Sequence, residues 1–329
     1  MVLFKKLKFL IFTILVGIFL PVSAWGVSSL VCTGATVAEY LIPGLGYGVL
    51  GQYDKMLFLG GSRWIAINKY LSYSSSADYE KYYEKIYKKT ELTNDKSQHD
   101  FFYSRETFFA NAYLSMYANL TFVTFYDLYE TGCEYNPETY GLMTAPFQVF
   151  EFAGEWTFWA PTIWASTVPL DTNLLTYHVD QDLSKTEMIN TSFLQYQLVG
   201  VGEEMLFRGV IQQSLFKLYS MGLGKGLSRW GSILTASAVF GAAHSGAGFT
   251  ASPGIAFVAG LYLGWIYHPD DGDFDLTQPI AIHSWWDTIL EHRRLNGANY
   301  VERKQGENAL NYSFKTDRTY PLFGFNYRF

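Results

Sequence analysis

"GVGEEMLFRGVIQQSLF" (residues 200–216) decides how this chain is read. Two adjacent glutamates and an arginine interrupt a run that otherwise has the composition of a buried or lipid-facing helix. Glu204 and Arg208 stand four apart, so they share a helix face and can pair. Glu203 points about 100° away, toward whatever lies on the next face. On a water-exposed helix this would be an ordinary surface ion pair. Here Val199, Val201, Met205, Leu206, Val210 and Ile211 surround the charges. Ionisable groups in such a setting are costly, face an interior, and mark functional sites.

Working outward, the surroundings are apolar over much of the chain. Of 329 residues, 49% are hydrophobic and 18% aromatic. Only 16% are charged, against roughly 25% in an ordinary soluble domain. A mean hydropathy of +0.03 then requires apolar spans to alternate with polar loops. The net charge of −6, with no basic patch interleaved with aromatics, argues against a nucleic-acid partner. Apolar stretches approaching the roughly 20 residues of a membrane helix fall at 29–51, 56–72, 107–126, 141–170 (two short helices broken near Pro161), 192–216, 230–245, 253–267 and 279–291. Small residues in the later stretches suit close helix packing in lipid, and tryptophans at their ends suit interfacial anchoring. The expected fold is therefore all-α, a polytopic helical membrane bundle.

The start, "MVLFKKLKFLIFTILVGIFLPVSAWG", has a basic n-region, an apolar core and a small-x-small "VSA" before Trp25. Residues 1–24 read as a signal peptide or a retained first membrane helix. Residues 25–190 read as an N-terminal helical membrane region with a polar loop at 73–105. Residues 191–291 hold the chemistry, and 292–329 form a polar tail. The last stretch, "PLFGFNYRF", alternates Phe323, Phe325, Tyr327 and Phe329 with period two, which favours a short C-terminal β-hairpin over a barrel strand. Cys32 and Cys133 are either one disulfide or two free thiols. "GYGVLG" (46–51) matches a dinucleotide pattern without its strand-then-helix context, and reads as glycines that let two helical segments turn and pack. "HPDDGDFDLTQP" (268–279) lacks the last glutamate of a calcium loop and reads as a solvated turn.

Two further stretches carry chemistry. "ASAVFGAAHSG" (236–246) sets Phe240 and His244 four apart, and "PIAIHSWWDTIL" (279–290) does the same for His283 and Asp287. Each alone is an unremarkable pairing on a helix. Together they put a spare glutamate, two histidines and a carboxylate on three short apolar helices. Packed side by side, such helices can aim these groups into one cavity. A carboxylate that takes a proton from water, beside imidazoles that stabilise an oxyanion, suits hydrolysis.

The ordered trio Glu203-Glu204-x-x-x-Arg208, Phe240-x-x-x-His244 and His283-x-x-x-Asp287, with "AGLYLGWIYH" (259–268) before the third, resembles the CPBP family of intramembrane proteases. That family includes the CAAX-processing, Rce1-like enzymes and the bacterial Abi proteins. The resemblance covers roughly residues 192–291. It implies a helical membrane bundle and an intramembrane endopeptidase that cleaves a membrane protein or peptide substrate in the lipid bilayer. It makes Glu203 the base that activates water, with Glu204 and Arg208 supporting it and Phe240 packing the site. His244 and His283 would bind the water or stabilise the oxyanion. Many members of the family carry asparagine where this chain has Asp287. Asp287 is then either protonated by burial, or the group that orients His283, or one of four zinc ligands with Glu203, His244 and His283. A metal-free site without cofactor, with Asp287 orienting His283, is the favoured reading. The implied location is a membrane, the bacterial inner membrane. The alternatives are a catalytically inactive scaffold of the same fold, or a proton-coupled membrane transporter using the same carboxylates and histidines as a relay.

Overall fold

The computed structural model describes residues 29–75, 87–89, 98–244, 252–268 and 274–303. The signal-like residues 1–24 and the alternating aromatics of 323–329 lie outside the described residues. In chain order the helices are α1 (Ser29–Leu41), α2 (Leu45–Val49), α3 (Gly61–Ser74), α4 (Arg105–Glu130), α5 (Glu138–Thr144), α6 (Trp156–Thr167), α7 (Lys185–Glu204), α8 (Gln213–Tyr219), α9 (Lys225–Ala243), α10 (Ser252–Tyr267) and α11 (Thr277–Gly297). The strands are β1 (Tyr87–Lys89), β2 (Gln98–Tyr103), β3 (Leu175–Asp180) and β4 (Asn299–Arg303).

The helix α7 is the centre of the arrangement. Ser184 starts it with a capping box: its hydroxyl accepts from the Glu187 backbone N–H, and the Glu187 carboxylate accepts from the Ser184 N–H. This satisfies two end donors at once. α7 packs against α4 on one side and α11 on the other. Glycine makes both approaches possible. A Cβ on Gly200 would lie 2.2 Å from Ser284 Oγ of α11, and one on Gly202 would lie 2.6 Å from the Asn119 carbonyl of α4. The helix then runs without a break into a π-helical stretch, Met205–Gln212, a geometry found often at functional sites. α9 and α10 pack together beside it, with Gly260 against Ser237.

The strands form one sheet in the order β1-β2-β3-β4, with β1/β2 antiparallel and the other two pairs parallel. Parallel neighbours need crossovers; α4 to α6 join β2 to β3, and α7 to α11 join β3 to β4. Tyr103, Tyr177 and Tyr300 stack across three strands at centroid distances of 5.9 and 5.5 Å.

The expected all-α polytopic membrane bundle is corrected on two counts. The sheet is part of the fold, and strands β1 and β2 fall inside the stretch read as a polar loop (73–105). Among the described residues, no helix is long and apolar enough to cross a membrane. The physical reason is a division of properties. The most apolar helices are short: α10 has 16 residues and α6 has 12, about 24 and 18 Å of rise. The long ones interleave polar groups, as Glu106, Asn119 and Asp127 do in the 26 residues of α4. The expected 29–51 span breaks at Gly44, whose φ of 88° ends one helix before the next begins. β4 pairs parallel with β3; the expected C-terminal hairpin falls on residues that lie outside the described ones.

The helix at Pro161 is not broken either. Proline removes the N–H that would bond the Thr157 carbonyl four residues back. Tyr262 of α10 supplies the missing donor, its hydroxyl reaching the Thr157 carbonyl at 2.5 Å.

Three buried links tie the first helices to one another and to the end of α4. Cys32 and Cys133 form a disulfide spanning 101 residues. Arg63 pairs with Glu39 at 2.7 Å, and Lys55 with Asp127 at 2.7 Å. Glu39 also accepts from the Gly44 and Gly46 N–H groups, and Asp127 from the Tyr47 and Thr139 hydroxyls. Gly46 serves packing: a Cβ there would sit 2.2 Å from the Ala35 carbonyl.

Candidate active site

The last turn of α7 presents Glu203 and Glu204, and the π-helical stretch presents Arg208. His244 stands at the C-terminal end of α9, with Phe240 one turn before it. α11 carries His283 and Asp287 one turn apart. All seven side chains are buried. Three segments separated by up to some eighty residues meet here.

Glu203 is the centre. It is 0% exposed. Its Oε2 lies 3.9 Å from His244 Nε2 and 3.9 Å from His283 Nε2. Neither of its carboxylate oxygens has a hydrogen-bond partner. Burial, reinforced by the nearby Asp287 and Glu204 carboxylates and opposed by His283 and Arg208, pushes Glu203 up to about 8. A carboxyl in that range holds its proton in neutral water and releases it a little above, which suits proton exchange with water.

Glu204 bridges two cations. One oxygen lies 2.6 Å from His283 Nδ1, and the other 3.0 Å from Arg208 Nε. Arg208 also donates to the Gly260 carbonyl at 3.3 Å, and its guanidinium lies 4.6 Å from the centre of the Phe240 ring. Phe240 in turn packs edge-on against Phe207 and against His283, at 4.9 and 5.9 Å.

The two histidines are held differently. His244 Nδ1 lies 2.7 Å from the Phe240 carbonyl. That contact makes Nδ1 the donor and leaves Nε2 an acceptor toward Glu203. Burial pulls His244 below its ordinary value, against the pull of the Phe240 carbonyl. His283 has a carboxylate on each ring nitrogen: Glu204 at Nδ1, and Asp287 Oδ2 at 3.3 Å from Nε2. Burial works against its charged form, but Asp287 and Glu204 outweigh it and hold the imidazole well above its ordinary value. The site thus holds one neutral imidazole, one imidazolium and one protonatable carboxyl around a single oxygen.

The structure brings together every residue picked out from sequence. It changes one partnership. Glu204 was paired with Arg208 alone by the four-residue spacing, yet its shortest contact is His283, 79 residues on. The Gly260 carbonyl and Phe207 were not anticipated; the small-residue pattern of 259–268 was the only signal for the first. Among the described residues, no three His, Cys, Asp or Glu side chains are placed to hold a metal ion.

Residues 186–289 match the model of a protein family. That family is Type II CAAX prenyl endopeptidase Rce1-like. The match covers under a third of the chain and takes in all seven residues of the site, in agreement with the resemblance to CPBP proteases. The Rce1-like segment includes the whole of α7 but for its first residue, the π-helical stretch, α8 to α10, and α11 as far as two residues past Asp287. Such a segment points to a protease, a hydrolase of peptide bonds whose family acts on membrane-associated substrates. No curated protein and no solved structure matches the chain.

Proposed function

We propose that the Rce1-like segment is an endopeptidase core that hydrolyses a peptide bond of a membrane-associated protein substrate. The observation that carries this reading is the convergence of two imidazole Nε2 atoms, each 3.9 Å away, on the unpartnered Oε2 of Glu203. Contacts of that length are too long for a direct hydrogen bond, and both atoms remain open to a shared water.

Glu203 in its ionised form takes a proton from that water as the oxygen attacks the scissile carbonyl carbon. His244, with Nδ1 fixed by the Phe240 carbonyl, accepts a hydrogen bond from the same water and sets its direction. The charge arriving on the carbonyl oxygen meets the His283 imidazolium, which is already cationic and needs no reorganisation. Glu203 then passes its proton to the departing amine as the C–N bond breaks. Glu204 locks the His283 ring, Arg208 locks Glu204, and Asp287 sets the other edge of the imidazole. No step runs through a metal.

The surface supports a membrane address. Phe150 is 88% exposed, Leu30 84% and Trp156 64%, with Trp159, Ile163 and Trp164 exposed along the same helix. Apolar area of this kind marks a surface that meets lipid or protein. We place the protein in the bacterial inner membrane, with residues 1–24 directing it there, residues 25–190 bracing α7 through α4, and residues 191–291 performing the cleavage.

The test is a comparison of processed membrane proteins in cells carrying the natural chain, Glu203→Ala or His244→Ala. Both variants are expected to abolish the processed form of at least one membrane protein and to accumulate its precursor. An unchanged processing pattern in both variants would overturn the proposal.

A further inference from the structure

The π-helical stretch grips α10 at two points. Arg208 Nη2 donates to the Gly260 carbonyl at 3.3 Å. Four residues on, on the same face, Gln212 Nε2 donates to the Gly264 carbonyl at 2.9 Å. Gly260 and Gly264 are also four apart, so the two contacts are parallel rungs between Met205–Gln212 and α10. Arg208 belongs to the candidate active site. Gln212 lies outside it, and among the described residues its side chain hydrogen-bonds to α10 alone.

Stability does not explain the second rung. The Gly264 carbonyl already accepts from the His268 N–H at 3.3 Å, so the amide rescues no orphaned acceptor. Gln212 is fully buried, and its Oε1 has no hydrogen-bond partner among the described residues. A buried polar atom left in this way is unfavourable, and a methionine would fill the same space without it. The rung also requires glycine inside a helix, where glycine is destabilising: a Cβ at position 264 would lie 2.7 Å from Gln212 Oε1. Two unfavourable choices thus maintain one contact.

What the contact secures is register. The Arg208 rung is the longer of the two, and Arg208 Nη1 has no partner among the described residues. Yet Arg208 Nε has to stay 3.0 Å from Glu204, whose other oxygen lies 2.6 Å from His283 Nδ1. With Gln212 anchored, the turn that carries Arg208 cannot slide along α10.

We propose that Gln212 is a positioning residue for the cleavage reaction, fixing the π-helical stretch against α10 so that Arg208 stays aimed at Glu204 and Glu204 at His283. The inference rests on the endopeptidase reading of the site. The titratable and charged groups facing Glu203 are Glu204 and Arg208 beside it in the chain, His244 of α9, and His283 and Asp287 of α11. α4 brings Asn119 to that level, which does not titrate. Arg208 is the group among these that the rung holds. It is one of the two that lower Glu203, the other being His283. Withdrawal of Arg208 therefore raises Glu203, and the activity limb, present above that value and lost below it, moves to higher pH.

Gln212→Met removes the amide and keeps its volume. Tyr262→Phe is the control, because it removes a bond from α10 to α6 and leaves the π-helical stretch alone. The first readout needs no substrate: solvent exchange of the Arg208 Nε–H, followed by NMR on the full chain with isotope-labelled arginine. Exchange is expected to quicken about tenfold in Gln212→Met, the scale of one lost hydrogen bond, and to stay unchanged in Tyr262→Phe. The second readout is kcat/KM against pH. The limb is expected to move upward in Gln212→Met, lowering kcat/KM at neutral pH about tenfold for each unit of movement, and to stay in place in Tyr262→Phe. Gly264→Ala pushes the amide off from the α10 side with a residue that favours the helix; it is expected to give the same two changes and stands in for Gln212→Met should that variant not fold. Arg208 exchange that is unchanged in both variants, or equally quickened in Tyr262→Phe, would overturn the proposal. So would quickened exchange with an unmoved limb, since the rung would then hold Arg208 without serving the reaction. Absence of cleavage by the natural chain is a different result, seen before any variant is compared, and it removes the endopeptidase reading itself.

Discussion

Around Glu203, chemistry is set by how each neighbour's charge is held. Burial first, then Asp287 and Glu204, keep its proton on up to about pH 8. The ionised form is the one that accepts a proton from water. Activity is therefore present above that value and lost as pH falls through it. A profile of kcat/KM against pH is expected to rise to a limb near 8, and a flat profile between pH 6 and 9 would contradict the assignment of the base. Asp287→Asn removes one of the charges that raise both Glu203 and His283. Both limbs of the profile are expected to move to lower pH, with the protein still folded. This distinguishes an electrostatic role for Asp287 from a purely packing one, which would leave the limbs in place. The identities of these groups were legible in sequence because i,i+4 spacing and apolar surroundings are local properties. The contact between Glu204 and His283 was not, because it depends on how two helices cross.

That crossing is a matter of elements. α7 meets α11 with Gly200 against Ser284, so the position of Glu203 relative to His283 depends on a missing side chain. Gly200→Ala would put a methyl 2.2 Å from Ser284 Oγ and 2.5 Å from the Ser284 nitrogen. Overpacking of this sort costs about 1–3 kcal/mol, and the helices must separate to relieve it. Thermal unfolding followed by circular dichroism is expected to show a lowered Tm, with cleavage lost out of proportion to stability. Tyr262→Phe makes a contrasting case. It orphans the Thr157 carbonyl that Pro161 leaves free, at a cost of about 1–3 kcal/mol without moving the site, so Tm is expected to fall while cleavage persists. The sequence reading broke this helix at Pro161 because proline chemistry is local and the rescuing hydroxyl lies about a hundred residues away. The sheet escaped notice for a related reason. Its strands are three to six residues long, too short to show alternation, and two of the three neighbouring pairs are joined only through long crossovers.

At the scale of the molecule, hydropathy was the misleading signal. High aromatic and apolar content was read as long spans, whereas the described chain divides it between short apolar helices and long polar ones, leaving large side chains such as Phe150 and Trp156 on the surface. The disulfide was an open question in sequence, since two cysteines 101 residues apart carry no pairing information. It closes the first helices onto α4. Cys32→Ser with Cys133→Ser is expected to lower unfolding free energy by about 5 kcal/mol, the loop-entropy effect for a closure of this length, as measured by urea denaturation. Lys55→Met should cost about as much, because Asp127 would be left as a buried charge without its cation. Both lie far from Glu203 in sequence and should leave the pH limb unmoved. The account as a whole turns on Glu203 as the group that activates water. The direct measurement is cleavage of an accumulated precursor by purified protein, natural against Glu203→Gln, with near-equal Tm as the check on folding. The account predicts at least a hundredfold loss of cleavage rate in the variant, the scale of a lost general base. A folded Glu203→Gln protein that cleaves within a few-fold of the natural rate would contradict it.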